Sequence, residues 1–416
     1  MLAAETSMNA QLALYGGTPV RTDPFPRWPV FDDAELASLK EVLLSGIWGI
    51  GGKKVPLLEE QFAAYHNARY AVAAVNGTAT LEMALRAFGV KEGDEVIIPP
   101  YTFYATMSAV LVLKAVPVFV DIENDSYCID LSKVPQAITE RTKAIIPVLF
   151  AGCPVDVDSM NAIACPRGIH VLLDAAQAHA TEWQGKRVGA LGDICSFSFQ
   201  SSKNMTSGEG GMLTTDDESL AALARSYGNC GRDQKKPWYE HYRLGNNFRM
   251  TEFQAAILLC QLPRLGYQTS LRHKNASRLS ARLSEIPGIV PLAIPPGATR
   301  HTHHILVLKY YAELFDEIPR GKLLAALQAE GIPAHPGYVP LYRSPMFANK
   351  EVDPDEVYKS SPPPDPGNFP ITEQAAGKQA VWLPHNILLG DESCIRDVVD
   401  AFSKVWDNRD KLASTS

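Results

Sequence analysis

From residue 70 onward, short apolar runs alternate with stretches whose apolar positions recur every three or four residues. Runs of strand length fall at 71–75, 95–98, 117–122, 144–149, 170–173, 194–199 and 212–215, several of them bounded by turn-forming residues. Helical spacing fills 78–88, 102–113, 131–138 and 157–164 between them. Strands joined by helices of this length need crossover connections, so the pattern predicts an α/β fold with a mostly parallel seven-stranded sheet sandwiched by helices. Ahead of the alternation, Asp32 or Asp33 starts a helix with Leu36, Leu39 and Leu43 on one face. Beyond it come helical patterns at 251–262 and 271–283, a strand at 303–309, a helix at 323–330 and a Pro-rich region at 333–370. A final amphipathic helix at 391–406 carries Ile395, Val398, Val399, Phe402 and Val405. The helix at 271–283 reads as a domain connector. The expected organisation is an N-terminal arm (1–30), a large domain (31–265) and a smaller α/β domain (266–416) with a mobile loop at 361–366.

Composition narrows the partners. The 416 residues are 46% hydrophobic and 20% charged, with net charge -7 and both signs interspersed, which argues against nucleic acid. The longest apolar stretch, 109–120, is broken by Lys114 and is too short to span a bilayer. The N-terminus has no positive segment ahead of an apolar core. Seven scattered cysteines without a CxxC pair argue for free thiols in a reducing cytoplasm, and against a disulfide framework or zinc site. His301 and His303 alternate onto one face, but no carboxylate or cysteine accompanies them, so no metal is expected. The glycines of 46–52 fit neither a P-loop nor a dinucleotide fingerprint and read as a flexible loop.

In open parallel sheets ligands sit at the carboxyl ends of the strands, which singles out the loops beginning at Asn76, Pro99, Asp174 and Gln200. Asn76-Gly77-Thr78 opens a helix, where free amides, the dipole and a hydroxyl suit an anion, although a plain cap reads the same way. Pro99 to Phe103 projects an aromatic ring that can stack on a planar cofactor or fill the core. Asp174 ends the run Val171-Leu172-Leu173, where a carboxylate needs a cation or hydrogen-bond donors unless it is a cap or surface turn. A protonated pyridine nitrogen would serve as that cation. The stretch 193–211, DICSFSFQSSKNMTSGEGG, reads as a strand, a loop holding Lys203, and a hairpin return. That lysine is either a solvated cation or an amine kept for chemistry, with Ser198 beside it. Anion donors, an aromatic plate, a carboxylate and a lysine at one sheet edge together meet the needs of pyridoxal 5'-phosphate.

These motifs, with Leu14-Tyr15-Gly16-Gly17-Thr18-Pro19, Pro100-Tyr101-Thr102-Phe103, Asp174-Ala175-Ala176-Gln177, GNNFRMTEFQAAIL and HPGYVPLYRSP, resemble the DegT/DnrJ/EryC1/StrS family of fold-type I pyridoxal-phosphate aminotransferases over nearly the whole chain. The resemblance implies that 31–265 binds the cofactor, that Lys203 forms the Schiff base and that Asp174 pairs with the pyridinium nitrogen. Phe103 would stack on the ring, Gln177 lie near the phenolic oxygen, and Gly77, Thr78 and Ser198 bind phosphate. Asn247 would reach the phosphate of a neighbouring subunit, which implies a homodimer with shared sites. The chain departs from the family pattern at Asn76, where Ser is frequent, and at Asn246, where an aromatic is common. Ser45-Gly46-Ile47-Trp48 and the lysine loop look most like the cyclitol and aminohydroxybenzoate branch. The implied reaction moves an amino group from L-glutamine or L-glutamate to an inosose-type keto-cyclitol in antibiotic or other secondary metabolism. A nucleotide keto-sugar acceptor, or an aminohydroxybenzoate-synthase-like dehydration, is the alternative. His304 and Tyr338 are candidate substrate contacts or packed residues.

Overall fold

The computed structural model describes residues 11–414, so residues 1–10 of the expected arm lie outside it. The strands in chain order are β1 (Tyr70–Ala74), β2 (Glu95–Ile98), β3 (Val116–Phe119), β4 (Thr142–Ile145), β5 (His170–Asp174), β6 (Glu182–Trp183), β7 (Lys186–Arg187), β8 (Ile194–Ser198), β9 (Gly211–Thr215), β10 (Ile289–Pro291), β11 (Ala298–Arg300), β12 (Ile305–Tyr310) and β13 (Ala380–Pro384). Seven of them form the main sheet in the order β1-β9-β8-β5-β4-β2-β3. The pairs from β8 through β3 are parallel. β9 is antiparallel to both β1 and β8, as the hairpin reading of the lysine stretch requires.

Alternation along these strands feeds two cores. Ile97, Ile145, Val171, Leu173 and Phe197 pack on one face, while Val96, Ile98, Ala144, Leu172 and Ile194 pack on the other. Helices cover both faces, which explains why the strands read as continuous apolar runs. A second sheet, β10-β12-β13, is antiparallel. On β12, Ile305 and Val307 join the first large core. The alternate Leu306, Leu308 and Tyr310 join a third, built with the helices Glu252–Leu283 and Glu392–Asp407. One strand thus ties the two sheets together.

Several expectations change. The helices expected at 251–262 and 271–283 are one helix, Glu252–Leu283, which contains Pro263. A capping box of Thr251 with Gln254 starts it, and buried Leu262, Leu265 and Thr269 carry its packing across the proline. Helix Asp33–Ser45 forms where expected, but apart from half-buried Leu39 its leucines do not face the chain's own core. Leu36, Leu43 and Leu44 are 60%, 55% and 75% exposed. The buried positions are Val42 and Glu35, the latter held by Gln261 and Arg264. The helix expected at 131–138 shortens to Val134–Ala137, and β13 has no counterpart in the sequence reading. The proposed mobile loop at 361–366 is tied at its start by Ser361 Oγ donating to Glu95 (2.7 Å). Among the described residues no helix is long and apolar enough to cross a membrane.

The arm does not lie loosely on a surface. Leu12 is buried in the third core, and buried Glu330 accepts from the amides of Ala13 (2.7 Å) and Val20 (3.0 Å) and from Lys404 (2.9 Å). Glu330→Ala leaves the two amides without a partner and the Lys404 ammonium with only the Thr18 carbonyl (2.7 Å), and should lower stability by about 3 kcal/mol in urea unfolding. The arm should become the first site of proteolytic nicking.

Candidate active site

The loops singled out from sequence converge on one cavity of about 760 Å³. Asn76, Gly77, Thr78, Phe103, Asp174, Gln177, Ser198, Lys203, His304 and Tyr338 all line it, whereas Asn247 does not. Helix Gly77–Ala87 begins at the wall, with the Asn76 side chain accepting from Ala79 N (2.8 Å). The first amides of a helix have no partner within it, so those of Gly77 and Thr78 remain available to an anion. Residue 77 must be glycine for a steric reason: a Cβ there would sit 2.6 Å from Ser198 Cβ.

Asp174, at the end of β5, is only 5% exposed. Thr106 Oγ1 donates to one carboxylate oxygen (2.9 Å) and Ala176 N to the other (3.2 Å). Burial raises its pKa, which these two bonds and the Lys203 charge oppose. Lys203 is half-buried in the loop after β8. Desolvation lowers its pKa to about 8, against the pull of Asp174 and Glu209. Phe103 presents a ring that is 56% exposed. Gln177 is fixed from both ends of its amide, accepting from Ala151 N (2.6 Å) and donating to Tyr338 Oη (3.0 Å).

His304 is buried, with Nδ1 3.1 Å from Asn204 Oδ1. Burial, first, and the Lys203 charge hold it well below the usual histidine pKa. Tyr338 and His304 thus touch the cavity wall while each engages another residue of the site. His301 and His303 stack at 4.0 Å, and His303 N donates to His301 Nδ1. Asn247 is exposed and pairs through its backbone with Asn229, whereas the Asn246 amide donates to Glu82 (3.1 Å).

Four contributors escaped the sequence reading. Trp28 from the arm, His385 after β13, His179 and Arg272 gather behind the lysine loop. Arg272 is fully buried, with its guanidinium 5.1 Å from the Trp28 ring centre. Desolvation lowers its pKa to about 9. The only signal for it in sequence was an arginine in the buried stripe of a long helix, a pattern with no chemistry of its own.

The donor set fits pyridoxal 5'-phosphate. A glycine cradle with open amides beside Ser198 suits the phosphate, and a buried carboxylate facing the cavity suits a ring N–H. An exposed aromatic suits the ring face, and a desolvated amine suits the aldehyde.

Residues 29–403 match the DegT/DnrJ/EryC1/StrS aminotransferase family. The chain is 40% identical to an L-glutamine:2-deoxy-scyllo-inosose aminotransferase of Streptomyces kanamyceticus, over 98% of this chain and 99% of that protein. It is 37% identical to a 3-amino-5-hydroxybenzoate synthase of Amycolatopsis mediterranei, over 88% and 94%. The crystal structure of a 3-amino-5-hydroxybenzoic acid synthase superposes with a TM-score of 0.84 at 35% identity, over 92% of this chain and 98% of that one.

In the cofactor-free protein, labelling of Lys203 by an amine-reactive reagent should rise with pH through a midpoint near 8, because only the uncharged amine reacts. Asp174→Asn removes a charge that favours the ammonium, so the midpoint should move lower. Peptide mapping of the labelled site as a function of pH reads both.

Proposed function

The chain belongs to the DegT/DnrJ/EryC1/StrS aminotransferase family, and we propose that within it this enzyme carries the amino group of L-glutamine to the keto carbon of a small inosose-type cyclitol. The observation that carries the acceptor class is the charge of the cavity wall. Lys203 is the only lysine or arginine among the described residues that line it. The rest of the polar lining is dominated by Asn, Gln, Ser, Thr, His, Tyr and Trp side chains, which suit ring hydroxyls. A nucleotide keto-sugar brings a diphosphate, for which arginine or lysine is the usual partner. The glutamine donor and inosose acceptor in the name of the Streptomyces kanamyceticus relative support the same reading.

Pyridoxal 5'-phosphate is the cofactor, and it supplies a carbonyl for the donor amine and a ring that accepts the electron pair released at the donor α-carbon. Gly77 and Thr78 amides with Ser198 hold the phosphate. The Asp174 carboxylate keeps a proton on the ring nitrogen. Phe103 would offer its ring to the cofactor's face, and Gln177, held by Ala151 and Tyr338, would bond the phenolic oxygen. Lys203 Nζ removes the proton from the donor α-carbon and later returns one to the acceptor carbon, a task its lowered pKa allows near neutrality. His304 lines the same cavity.

We further infer a homodimer with shared sites. Leu36, Leu43, Leu44, Ile47, Trp48 and Ile50 leave an apolar patch on the isolated chain. That Asn247 is exposed and does not line its own cavity supports a role at the phosphate bound by a second copy. A second reading, dehydration without net amino transfer, rests on the likeness to the aminohydroxybenzoate synthase structure.

Holoenzyme given L-glutamine and no acceptor should lose its visible absorption band and release stoichiometric keto acid. Multiple turnovers should then require a keto-cyclitol. Turnover of a cyclic keto substrate without donor consumption selects dehydration, and turnover with a nucleotide keto-sugar alone overturns the acceptor. Lys203→Ala should lower the rate at least about 10³-fold.

Chains carrying Lys203→Ala and Asn247→Ala, each impaired alone, should regain activity when refolded together. Half of the sites in such a hybrid dimer hold both native residues. No recovery would refute the sharing of sites.

A further inference from the structure

The loop between β8 and β9 carries the Lys203 amine, and its orientation is fixed from outside the main sheet. Locally it is a closed turn, with Lys203 N donating to the Gln200 carbonyl (2.9 Å) and Ser202 N to Gln200 Oε1 (2.8 Å). Ser201 and Ser202 are exposed, and their hydroxyls bond the Gln200 side chain within the turn (2.8 Å each). Ring N–H groups from distant segments anchor the turn from outside. Trp28 Nε1 donates to the Ser201 carbonyl (3.1 Å) and His385 Nε2 to the Ser202 carbonyl (3.0 Å). On either side, His179 Nε2 donates to the Ser198 carbonyl (2.6 Å) and His304 Nδ1 to Asn204 Oδ1 (3.1 Å). Three of these acceptors are carbonyl oxygens. The fourth, Asn204 Oδ1, is an acceptor because Asn204 Nδ2 donates to the Thr302 carbonyl (3.3 Å). Each bonded ring nitrogen is therefore the one that carries the proton.

His385 and Trp28 act as a unit. Their rings meet edge to face at 4.6 Å, and both line the cavity. Arg272 backs the pair. Burial, first, and the Arg272 charge hold His385 well below the usual histidine pKa. A neutral imidazole has one donor nitrogen, and here the Ser202 carbonyl takes it. Turning that carbonyl displaces the next residue, and the next residue is the lysine.

We propose that His385, seconded by Trp28, is a positioning residue for Lys203, fixing through the Ser202 and Ser201 carbonyls the direction in which the lysine stem leaves its loop. This rests on the reading of Lys203 as the reacting amine. His385 comes from the end of β13 and Trp28 from the N-terminal arm, so the reactive geometry is completed only when both segments have docked.

The test is covalent capture of pyridoxal 5'-phosphate by the cofactor-free full chain, followed by growth of the visible band. Capture joins Lys203 Nζ to the aldehyde carbon, and the aldehyde oxygen leaves as water. Affinity for pyridoxine 5'-phosphate, which lacks the aldehyde, reads the cradle alone. His385→Phe should slow capture about tenfold or more while that affinity stays within about twofold. His385→Gln, whose amide can donate from a similar reach, should restore most of the rate. Trp28→Phe keeps a ring and loses the N–H, and should give a smaller loss of the same kind. Unchanged capture in His385→Phe, or a parallel fall in both readouts without rescue by glutamine, overturns the proposal. If His385→Phe does not fold, Trp28→Phe decides: slower capture with unchanged pyridoxine 5'-phosphate affinity supports the proposal, and any other result overturns it. A Lys203→Ala chain that still captures the cofactor would instead remove the underlying reading of the lysine.

Discussion

A carboxylate and an amine share one cavity here without neutralising each other. Asp174 ends β5 and Lys203 follows the adjacent β8, whose register sets Asp174 against Ser196. Their charges are felt across the gap, yet the hydrogen bonds of Asp174 go to Thr106 and Ala176. Burial raises the acid and lowers the amine, so both groups stand closer to neutrality than they would in water. On the proposed reading, a ring with a protonated nitrogen would give Asp174 the cation it lacks, and a carbonyl would give the amine a bonding partner.

Parallel strand order makes that arrangement possible. β5 and β8 are neighbours although the β6-β7 ribbon lies between them in sequence, and helix Gly77–Ala87 enters from β1 at the far edge. The tight approach of Gly77 to Ser198 brings that helix N-terminus onto the end of β8. The second sheet then closes the cavity, because Tyr338 holds Gln177 and the residues flanking β12 and β13 hold the lysine loop. Since β12 contributes to the cores of both sheets, the two halves of the cavity are held in mutual register by apolar packing.

The main sheet was legible because each of its strands is buried on both faces and so reads as an apolar run with clear ends. The boundaries that shifted did so where a local signal competed with a distant one. The patterns at 251–262 and 271–283 read as two helices, where tertiary packing carries one helix through Pro263. The leucines of helix Asp33–Ser45 suggested a core that the chain itself does not supply, since periodicity reports that a face is apolar and does not say what covers it. Within the site, Lys203, Asp174, Gly77 and Phe103 were legible only together, because each alone also reads as a loop cation, a cap or core, and their shared sheet edge is what joins them. Arg272, His385 and Trp28 were not, because a residue that acts by touching a distant loop leaves no pattern in its own neighbourhood.

The sequence by itself determined the layered α/β architecture, the sheet edge where chemistry gathers and the lysine and carboxylate that gather there, because local periodicity and strand-end chemistry are written over a few residues each. Tertiary structure alone decided which side chains touch across the cavity: Tyr338 on Gln177, His385 and Trp28 on the lysine loop, Glu330 on the arm. Those contacts join residues more than one hundred and fifty positions apart in the chain. Only the packing of two sheets against a shared strand specifies such pairings, and no window of sequence contains it.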